Sequence, residues 1–167
     1  MKVGYLFVLS FACFSITAQE NKCMKDINAQ IWDNFTKSFE TYDHKLFGSL
    51  HANNFVRASG SSKSLKNKKA YIEGYANRWQ KPGSAQTISF RFLERFCDDK
   101  NASERGIYRL TINPNSDNER SFYGKFHVVL INNGDWQFLF DYDSSEGNTI
   151  NKDSYNSAFA IDDFEKY

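Results

Sequence analysis

Histidine, proline and long apolar runs are what this chain of 167 residues has least of, with three histidines and two prolines in total. No two histidines, and no histidine with a cysteine, stand at a spacing typical of metal ligands, so the sequence predicts no metal site. Phosphate-cradling glycine loops, dinucleotide fingerprints and nucleophile elbows are also absent, so no cofactor is expected. The 21 Lys and Arg residues against 20 Asp and Glu leave no basic excess for a phosphate backbone, which argues against nucleic acid as a partner.

Aromatic residues are abundant instead, with 16 Phe, 9 Tyr and 3 Trp. They supply enough apolar area for a core despite a polar average composition, which excludes disorder throughout the chain. The length suits one domain with a proper core and is too short for two full-sized domains. We therefore expect a single folded unit.

The first residues are typical of an export signal. A positive start at residues 1–2 precedes a mostly apolar stretch at residues 3–16, and Thr17-Ala18-Gln19 follows. This pattern predicts a signal peptide over residues 1–18, cleaved after Ala18, and therefore a secreted or periplasmic protein without stable membrane insertion after cleavage. The alternative is an uncleaved anchor. Lipidation at Cys13 is not favoured, because the apolar stretch continues beyond it.

Cleavage would leave two cysteines, Cys23 and Cys97. Disulfides persist in an oxidising compartment, so these two residues are candidates for a bridge that ties the N-terminus to a strand. The alternative is two independent thiols, because the sequence does not give the separation of their Cα atoms.

Helical periodicity dominates the first half of the chain. Apolar residues spaced by three or four predict an amphipathic helix over residues 26–42. Asp43 is a good N-cap for a second helix, on which we place both His44 and His51. A short strand is predicted at residues 55–58 and a loop at residues 60–64. A third helix is predicted at residues 67–80.

Strand periodicity dominates the second half, at residues 87–92, 106–112, 121–131 and 136–142. Asn133-Gly134 suits a tight hairpin turn between the last two strands. The sequence therefore predicts an α+β domain, a cone-like roll in which a curved, mainly antiparallel sheet wraps the long first helix. A pocket is expected at the concave mouth of the sheet. Residues 148–167 read as a polar C-terminal appendage with one short helix.

Several short strings and their order resemble the nuclear transport factor 2-like superfamily, in particular its SnoaL-like and uncharacterised bacterial secreted branches. The strings are FETYDHKL at residues 39–46, NNFV at 53–56, KAYI at 69–72, GKFHVV at 124–129 and NGDWQF at 133–138. The likeness covers about residues 26–145 and implies a domain of this family over residues 19–147. The superfamily contains isomerases, dehydratases, epoxide hydrolases, cyclases and binding modules on one scaffold, so the resemblance does not itself imply an activity.

The resemblance carries a specific doubt about catalysis. Ketosteroid-isomerase-like members have a catalytic Asp near the end of the first strand, and Ser59 stands at the corresponding position here. A serine hydroxyl cannot serve as that base unaided. Some relatives also place histidines around the end of the last strand, where this chain reads FLFDYD at residues 138–143. The resemblance therefore favours a protein that is not an enzyme.

Three residues remain as weak catalytic candidates, and each has a plainer interpretation. Asp43 is better explained as a helix N-cap; if it is an acid or base, its possible partners are Tyr42, Tyr108 and Asp141. His127 lies on the strand face opposite the expected core side, which indicates a solvated position unless a bulge reverses the two faces. The expected core side carries Phe122, Phe126, Val128 and Leu130. Asp141, together with Asp143, suits a solvated sheet edge.

The aromatic residues supply candidate ligand-binding positions, although ordinary core packing explains them as well. The expected pocket-lining residues are Trp32, Tyr42, Tyr108, Phe126 and Phe138.

Two functions follow from these observations. We favour a non-catalytic module that binds a small apolar ligand or a protein partner. The alternative is a cofactor-independent isomerase, dehydratase or cyclase acting on a small apolar substrate. A homodimer through the outer sheet face is a further expectation, although Arg109, Lys125, His127 and Gln137 make that face mixed in polarity.

Overall fold

This computed structural model describes residues 22–167, so the predicted signal peptide, its cleavage site and Cys13 lie outside the described residues.

The first helix contains an irregular turn. Residues 22–27 are α-helical, a π-helical turn spans Asn28–Trp32, and helix α1 spans Asp33–Thr41. Tyr42 then adopts a left-handed backbone conformation with φ 56°, which ends the helix. None of the described helices is long and apolar enough to span a membrane.

Helix α2 is shorter than the sequence predicts. It spans His44–Ser49 and is followed directly by strand β1, His51–Ser59. The placement of His51 on the second helix is therefore wrong. The backbone of Phe138 donates a hydrogen bond of 2.8 Å to Leu50 O, and this contact draws the chain into the sheet one turn early.

A short strand that the sequence did not predict follows the predicted loop, and residues 60–63 form a turn as expected. Strand β2, Ser64–Asn67, pairs antiparallel with β1 and places Ser64 opposite Ser59. Helix α3, Lys68–Trp79, follows at once. Its N-cap is Asn67, whose side chain accepts a hydrogen bond of 2.9 Å from the amide of Ala70.

Four long strands complete a six-stranded sheet in the order β2-β1-β6-β5-β4-β3. They are β3, Gln86–Cys97; β4, Asn101–Ile112; β5, Arg120–Asn132; and β6, Trp136–Ser144. All neighbours pair antiparallel except β1 and β6, which are parallel. The turn between β5 and β6 contains Gly134 at φ 112°, in agreement with the predicted hairpin. The sheet is curved and unclosed, and the predicted α+β roll is confirmed.

The C-terminal residues pack against the sheet instead of extending from it. Helix α4, Lys152–Ser157, buries Tyr155 against Ile107 on the outer face. The backbone of Phe159 then pairs with Phe92 on the edge strand β3. A 3₁₀ turn at Phe164–Lys166 ends the described chain. The polar composition of this segment predicted an appendage, but a few aromatic residues attach the segment to the sheet.

Two features tie the first helix to the sheet. Cys23 and Cys97 form a disulfide with a Cα–Cα distance of 6.4 Å. A fully buried ion pair joins Arg95 to Glu104, with Arg95 Nη2 2.7 Å from Glu104 Oε1. The indole of Trp32 donates to the other oxygen of Glu104 at 2.6 Å. Because Trp32 closes the π-helical turn, this pair holds the irregular part of the helix against β4.

Candidate functional site

A cavity of about 110 Å³ lies between the helices and the inner face of the sheet. Its walls are largely aromatic and come from the first helix, α3 and strands β3 to β6. The apolar walls include Trp32, Phe35, Phe90, Tyr108, Phe126 and Phe138. A cavity of roughly 150 Å³ with apolar walls admits benzene. The space is smaller than that, so it suits a short branched chain, or a single ring whose substituent extends to the charged end of the cavity.

One end of the cavity is polar and charged. Arg57 on β1 and the pair Asp141 and Asp143 on β6 line it there. Arg57 Nε lies 3.3 Å from Asp141 Oδ2, and Arg57 Nη2 forms an ion pair with Asp143 Oδ1. The side chain of Asp143 is 25% exposed against 13% for Asp141. Trp32 and Phe138 are only 2% and 1% exposed, so the charged end is closer to solvent than these aromatic walls.

A bulge in β6 brings the two carboxylates to the inner face. The partners of Phe138 and Phe140 on β5 are consecutive residues, so Leu139 is an extra residue in the strand. An extra residue shifts the alternation of side chains by one position. Asp141 and Asp143 therefore share the inner face with Phe138. Strict alternation along β6 would have placed them outside.

The arginine of this cluster holds its position through backbone and ring contacts as well. Arg57 Nη1 donates a hydrogen bond of 2.6 Å to the carbonyl oxygen of Ala58. Its guanidinium lies 5.4 Å from the centre of the Tyr71 ring, a cation–π distance. Arg57 Nε is buried and has no hydrogen-bond partner among the described residues.

Burial and neighbouring charge shift the titration of the cluster. Burial raises the pKa of Asp141 to about 6; the charge of Asp143 also raises it, while Arg57 opposes the shift. Burial alone would lower the pKa of Arg57, but the carboxylates raise it above its ordinary value, so the guanidinium stays charged. With both carboxylates ionised, the cluster of one cation and two anions carries a net charge of −1.

Tyrosines complete the polar end. Burial raises the pKa of Tyr71 and Tyr75 on α3, and burial followed by the charge of Asp143 raises the pKa of Tyr108. These hydroxyls therefore keep their protons at neutral pH. The ring of Tyr108 lies over Gly124, where a Cβ atom would stand 2.5 Å from the Tyr108 hydroxyl. Glycine at this position makes room for the tyrosine.

The structure brings together four of the five expected pocket residues. Trp32, Tyr108, Phe126 and Phe138 line the cavity. Tyr42 does not, because the helix ends there and its hydroxyl instead bonds to the carbonyl oxygen of Ser84. Binding of a ligand by these residues stays a prediction.

The three catalytic candidates lie in different parts of the structure and do not form one site. Asp43 is exposed and caps α2, its carboxylate accepting from two backbone amides. His127 is exposed on the outer face, with Nε2 2.9 Å from Ser103 Oγ. Asp141 alone reaches the cavity and is 9% exposed, so its interpretation as a solvated sheet edge is wrong. Ser59 does not line the cavity; its hydroxyl is 3.4 Å from the amide of Ser62.

Sequence reasoning missed Arg57, Tyr71 and Tyr75 as cavity residues. Arg57 lies in the short predicted strand, and an arginine 8% exposed inside a strand has no signal of burial in a single sequence. The two tyrosines are four apart on α3, a spacing that indicated only an apolar helix face.

Part of the outer sheet face is covered. The guanidinium of Arg109 lies 5.1 Å from the ring of Tyr155 on α4. Arg109 lies on the outer face as expected, but α4 covers part of it. No group of three or more His, Cys, Asp or Glu residues within residues 22–167 is placed to hold a metal ion.

Comparison with solved structures identifies the fold. A conserved protein from Planctomyces limnophilus superposes with a TM-score of 0.63 at 16% identity, covering 74% of this chain and 95% of that one. An NTF2-like protein of unknown function from Pseudomonas putida gives 0.64 at 13% identity, covering 80% and 96%. The fold is that of the NTF2-like proteins. A ketosteroid isomerase-like protein from Erwinia carotovora gives 0.57 at 14% identity, covering 74% and 96%.

Comparison of the sequence with family models and curated proteins assigns no family or function. No family model matches the chain, and no curated protein matches it either. The NTF2-like likeness therefore describes the fold, and the function has to be argued from the cavity itself.

Proposed function

We propose that this protein is a secreted or periplasmic small-ligand-binding module of the NTF2-like type, in which the aromatic cavity holds the ligand without chemical change. The observation that carries the proposal is the cavity of about 110 Å³, apolar along its walls and charged at one end. Ligand sites in proteins typically combine apolar walls with a few polar groups that orient the ligand. Assignment to the SnoaL-like branch stays a prediction.

The positions of the catalytic candidates support binding over catalysis. Asp43 and His127 are exposed and lie away from the cavity. Asp141 reaches the cavity but is ion-paired with Arg57 at 3.3 Å. The positive charge of Arg57 lowers the pKa of the Asp141 carboxyl against the effect of burial, which makes the carboxylate a weaker base.

Titration calorimetry with small neutral probes tests the proposal. We expect toluene and benzyl alcohol to bind residues 19–167 in a 1:1 saturable manner with a dissociation constant of about 1 mM or tighter, equivalent to about −4 kcal/mol. Two variants of β5 provide the comparison. Val128 lines the cavity, whereas Val129 lies on the opposite face of the same strand.

The substitution Val128→Phe fills the cavity and should abolish binding. Val129→Phe adds the same atoms outside the cavity and should leave binding unchanged. If Val128→Phe does not fold, Leu110→Phe serves in its place, because Leu110 also lines the cavity and is only partly buried. Binding that survives in every cavity-filling variant would refute the proposal.

A second candidate function rests on Asp141. A carboxyl group with a pKa of about 6 in an apolar cavity has the property of a general base at neutral pH. Tyr108, which keeps its proton, is a hydrogen-bond donor for a developing oxyanion. A cofactor-independent isomerase, dehydratase or cyclase would use such a pair.

Deuterium exchange separates this second candidate from simple binding. The candidate predicts that the protein accelerates exchange of the hydrogens next to the carbonyl of cyclopentanone in D₂O, followed by NMR. The substitution Asp141→Asn should abolish the acceleration. A rate equal to that of buffer would count against the enzyme and leave the binding proposal in place.

The proposal includes export of the protein from the cytoplasm with cleavage of its signal peptide. The apolar N-terminal stretch and the disulfide between Cys23 and Cys97 both suit an oxidising compartment. Expression of the full chain in its host should yield a protein that begins at Gln19, as measured by intact mass. A cytoplasmic protein that retains Met1 and reduced thiols would contradict it.

The proposal also includes self-association of the protein through the outer face of the sheet. Lys125, His127 and Gln137 lie on the part of this face outside the contact of Arg109 with Tyr155. Sedimentation over a range of concentrations tests it: a weak dimer is expected, and a monomer mass at every concentration would exclude it.

A further inference from the structure

The charge of the cavity is unbalanced. One guanidinium, Arg57, faces two carboxylates, Asp141 and Asp143. The other titratable groups that line the cavity are Tyr71 and Tyr75 from α3 and Tyr108 from β4, all of which keep their protons at neutral pH. A single negative charge therefore remains at the polar end without a cation to neutralise it.

The inner carboxylate receives no hydrogen bond from the Arg57 Nε beside it. Asp141 is 9% exposed and lines the cavity. Its contact with Arg57 Nε at 3.3 Å is an ion pair without a hydrogen bond, since that Nε has no hydrogen-bond partner. Arg57 Nη1 donates to the backbone oxygen of Asp141 at 3.4 Å and not to its carboxylate. Buried carboxylates are normally hydrogen-bonded, so Asp141 has the capacity to accept a hydrogen bond from an occupant of the cavity.

The walls next to the carboxylates suit a cation. Tyr71, Tyr75 and Tyr108 stand at the charged end, with Trp32 and Phe138 deeper in the cavity. The faces of aromatic rings carry partial negative charge and attract ammonium groups. Aromatic faces and a carboxylate around one apolar space are the two elements that recognise an organic cation.

We propose that the ligand of this cavity is a small protonated amine, with its ammonium group donating to Asp141 and its apolar part among the aromatic walls. The inference rests on the proposed ligand-binding function and gives the chemical class of that ligand. An anionic ligand is disfavoured, because Arg57 is already shared between two carboxylates and the cluster would repel a second anion.

Matched probes test the charge of the ligand on the unaltered protein. Benzylamine, benzyl alcohol and phenylacetate share one ring and differ in the polar group. Calorimetry at about pH 7.5 should show benzylamine binding at least tenfold tighter than benzyl alcohol, with phenylacetate weakest. Isobutylamine against isobutanol repeats the comparison with a smaller apolar part.

The pH dependence gives a second readout that needs no variant. The amines stay protonated between pH 5 and 7.5, whereas Asp141, with a pKa of about 6, becomes mostly neutral at the lower end. Amine affinity should fall about tenfold from pH 7.5 to pH 5, following the ionised fraction of a group of that pKa. Benzyl alcohol affinity should stay constant over the same range.

The substitution Asp141→Asn should remove the amine preference, so that the variant binds benzylamine and benzyl alcohol with equal affinity. The outcomes separate the two proposals. Equal affinity for benzylamine and benzyl alcohol, or tighter phenylacetate, would overturn the amine assignment and leave ligand binding intact. A failure of every probe to bind would overturn both.

Discussion

Replacement of Arg95 by methionine is the sharpest test of what holds the first helix against the sheet. Arg95 is 1% exposed and donates to Glu104 at 2.8 Å, to Asn28 Oδ1 at 2.6 Å and to the carbonyl oxygen of Ile161 at 2.9 Å. The substitution Arg95→Met keeps most of the apolar volume but leaves the carboxylate of Glu104 buried without its counter-ion. Breaking one partner of a buried pair typically costs about 3–5 kcal/mol.

The predicted magnitude can be measured by thermal unfolding. For a domain of this size about 2–4 °C of melting temperature corresponds to 1 kcal/mol, so a fall of roughly 6–20 °C is expected. The matched control is Arg105→Met. Arg105 pairs with Glu94 at 2.6 Å, but both side chains are about half exposed, and such surface pairs contribute roughly 0–1 kcal/mol.

The loss in Arg95→Met should also depend on pH. Burial already raises the pKa of Glu104, and Arg95 and Trp32 oppose that rise. Without Arg95 the folded-state pKa rises further. A raised carboxyl pKa contributes stability that is present below the unfolded value, about 4.3, and is lost as pH rises through the folded value. The gap to wild type should therefore narrow near pH 4. Equal stability of the two arginine variants at pH 7 would refute the reasoning.

Three further predictions concern separate parts of the chain. The substitution Gly124→Ala should cost about 1–3 kcal/mol in urea unfolding and weaken probe binding, because the new methyl group displaces the ring of Tyr108; unchanged binding would contradict this. Replacement of Cys23 and Cys97 by serine should cost about 4 kcal/mol, the chain-entropy value for cysteines 74 residues apart, and a loss under 1 kcal/mol would argue against it. Asp43→Ala should cost about 1 kcal/mol by loss of the helix cap, with probe affinity unchanged; weaker probe binding would reopen its catalytic candidacy.

Periodicity alone was sufficient for the main elements of the fold. The four-residue spacing of Ile27, Ile31 and Phe35 identified the buried face of the first helix, and all three residues are buried. Asn133-Gly134 correctly marked the turn of the last hairpin. These signals are local, because neighbours along the chain determine them. The element order then indicated the α+β roll.

The candidate site was less predictable because it depends on irregularities. The extra residue Leu139 in β6 turns Asp141 inward, and no local pattern in the sequence announces a bulge there. The burial of Arg57 follows from the parallel pairing of β1 with β6, two strands that lie about 80 residues apart. The early end of α2 before His51 has the same origin, a long-range hydrogen bond from Phe138. Long-range pairing of this kind leaves no trace in a single sequence.

A crystal structure grown with benzylamine at about pH 7.5 tests the central claim, that the aromatic cavity is a ligand site with an acidic end, most directly. The account predicts a single bound molecule, with its ring against Trp32 and Phe138 and its nitrogen within hydrogen-bond distance of the Asp141 carboxylate. A cavity that holds only water under these conditions, while benzylamine is absent or lies on the outer surface, would contradict it.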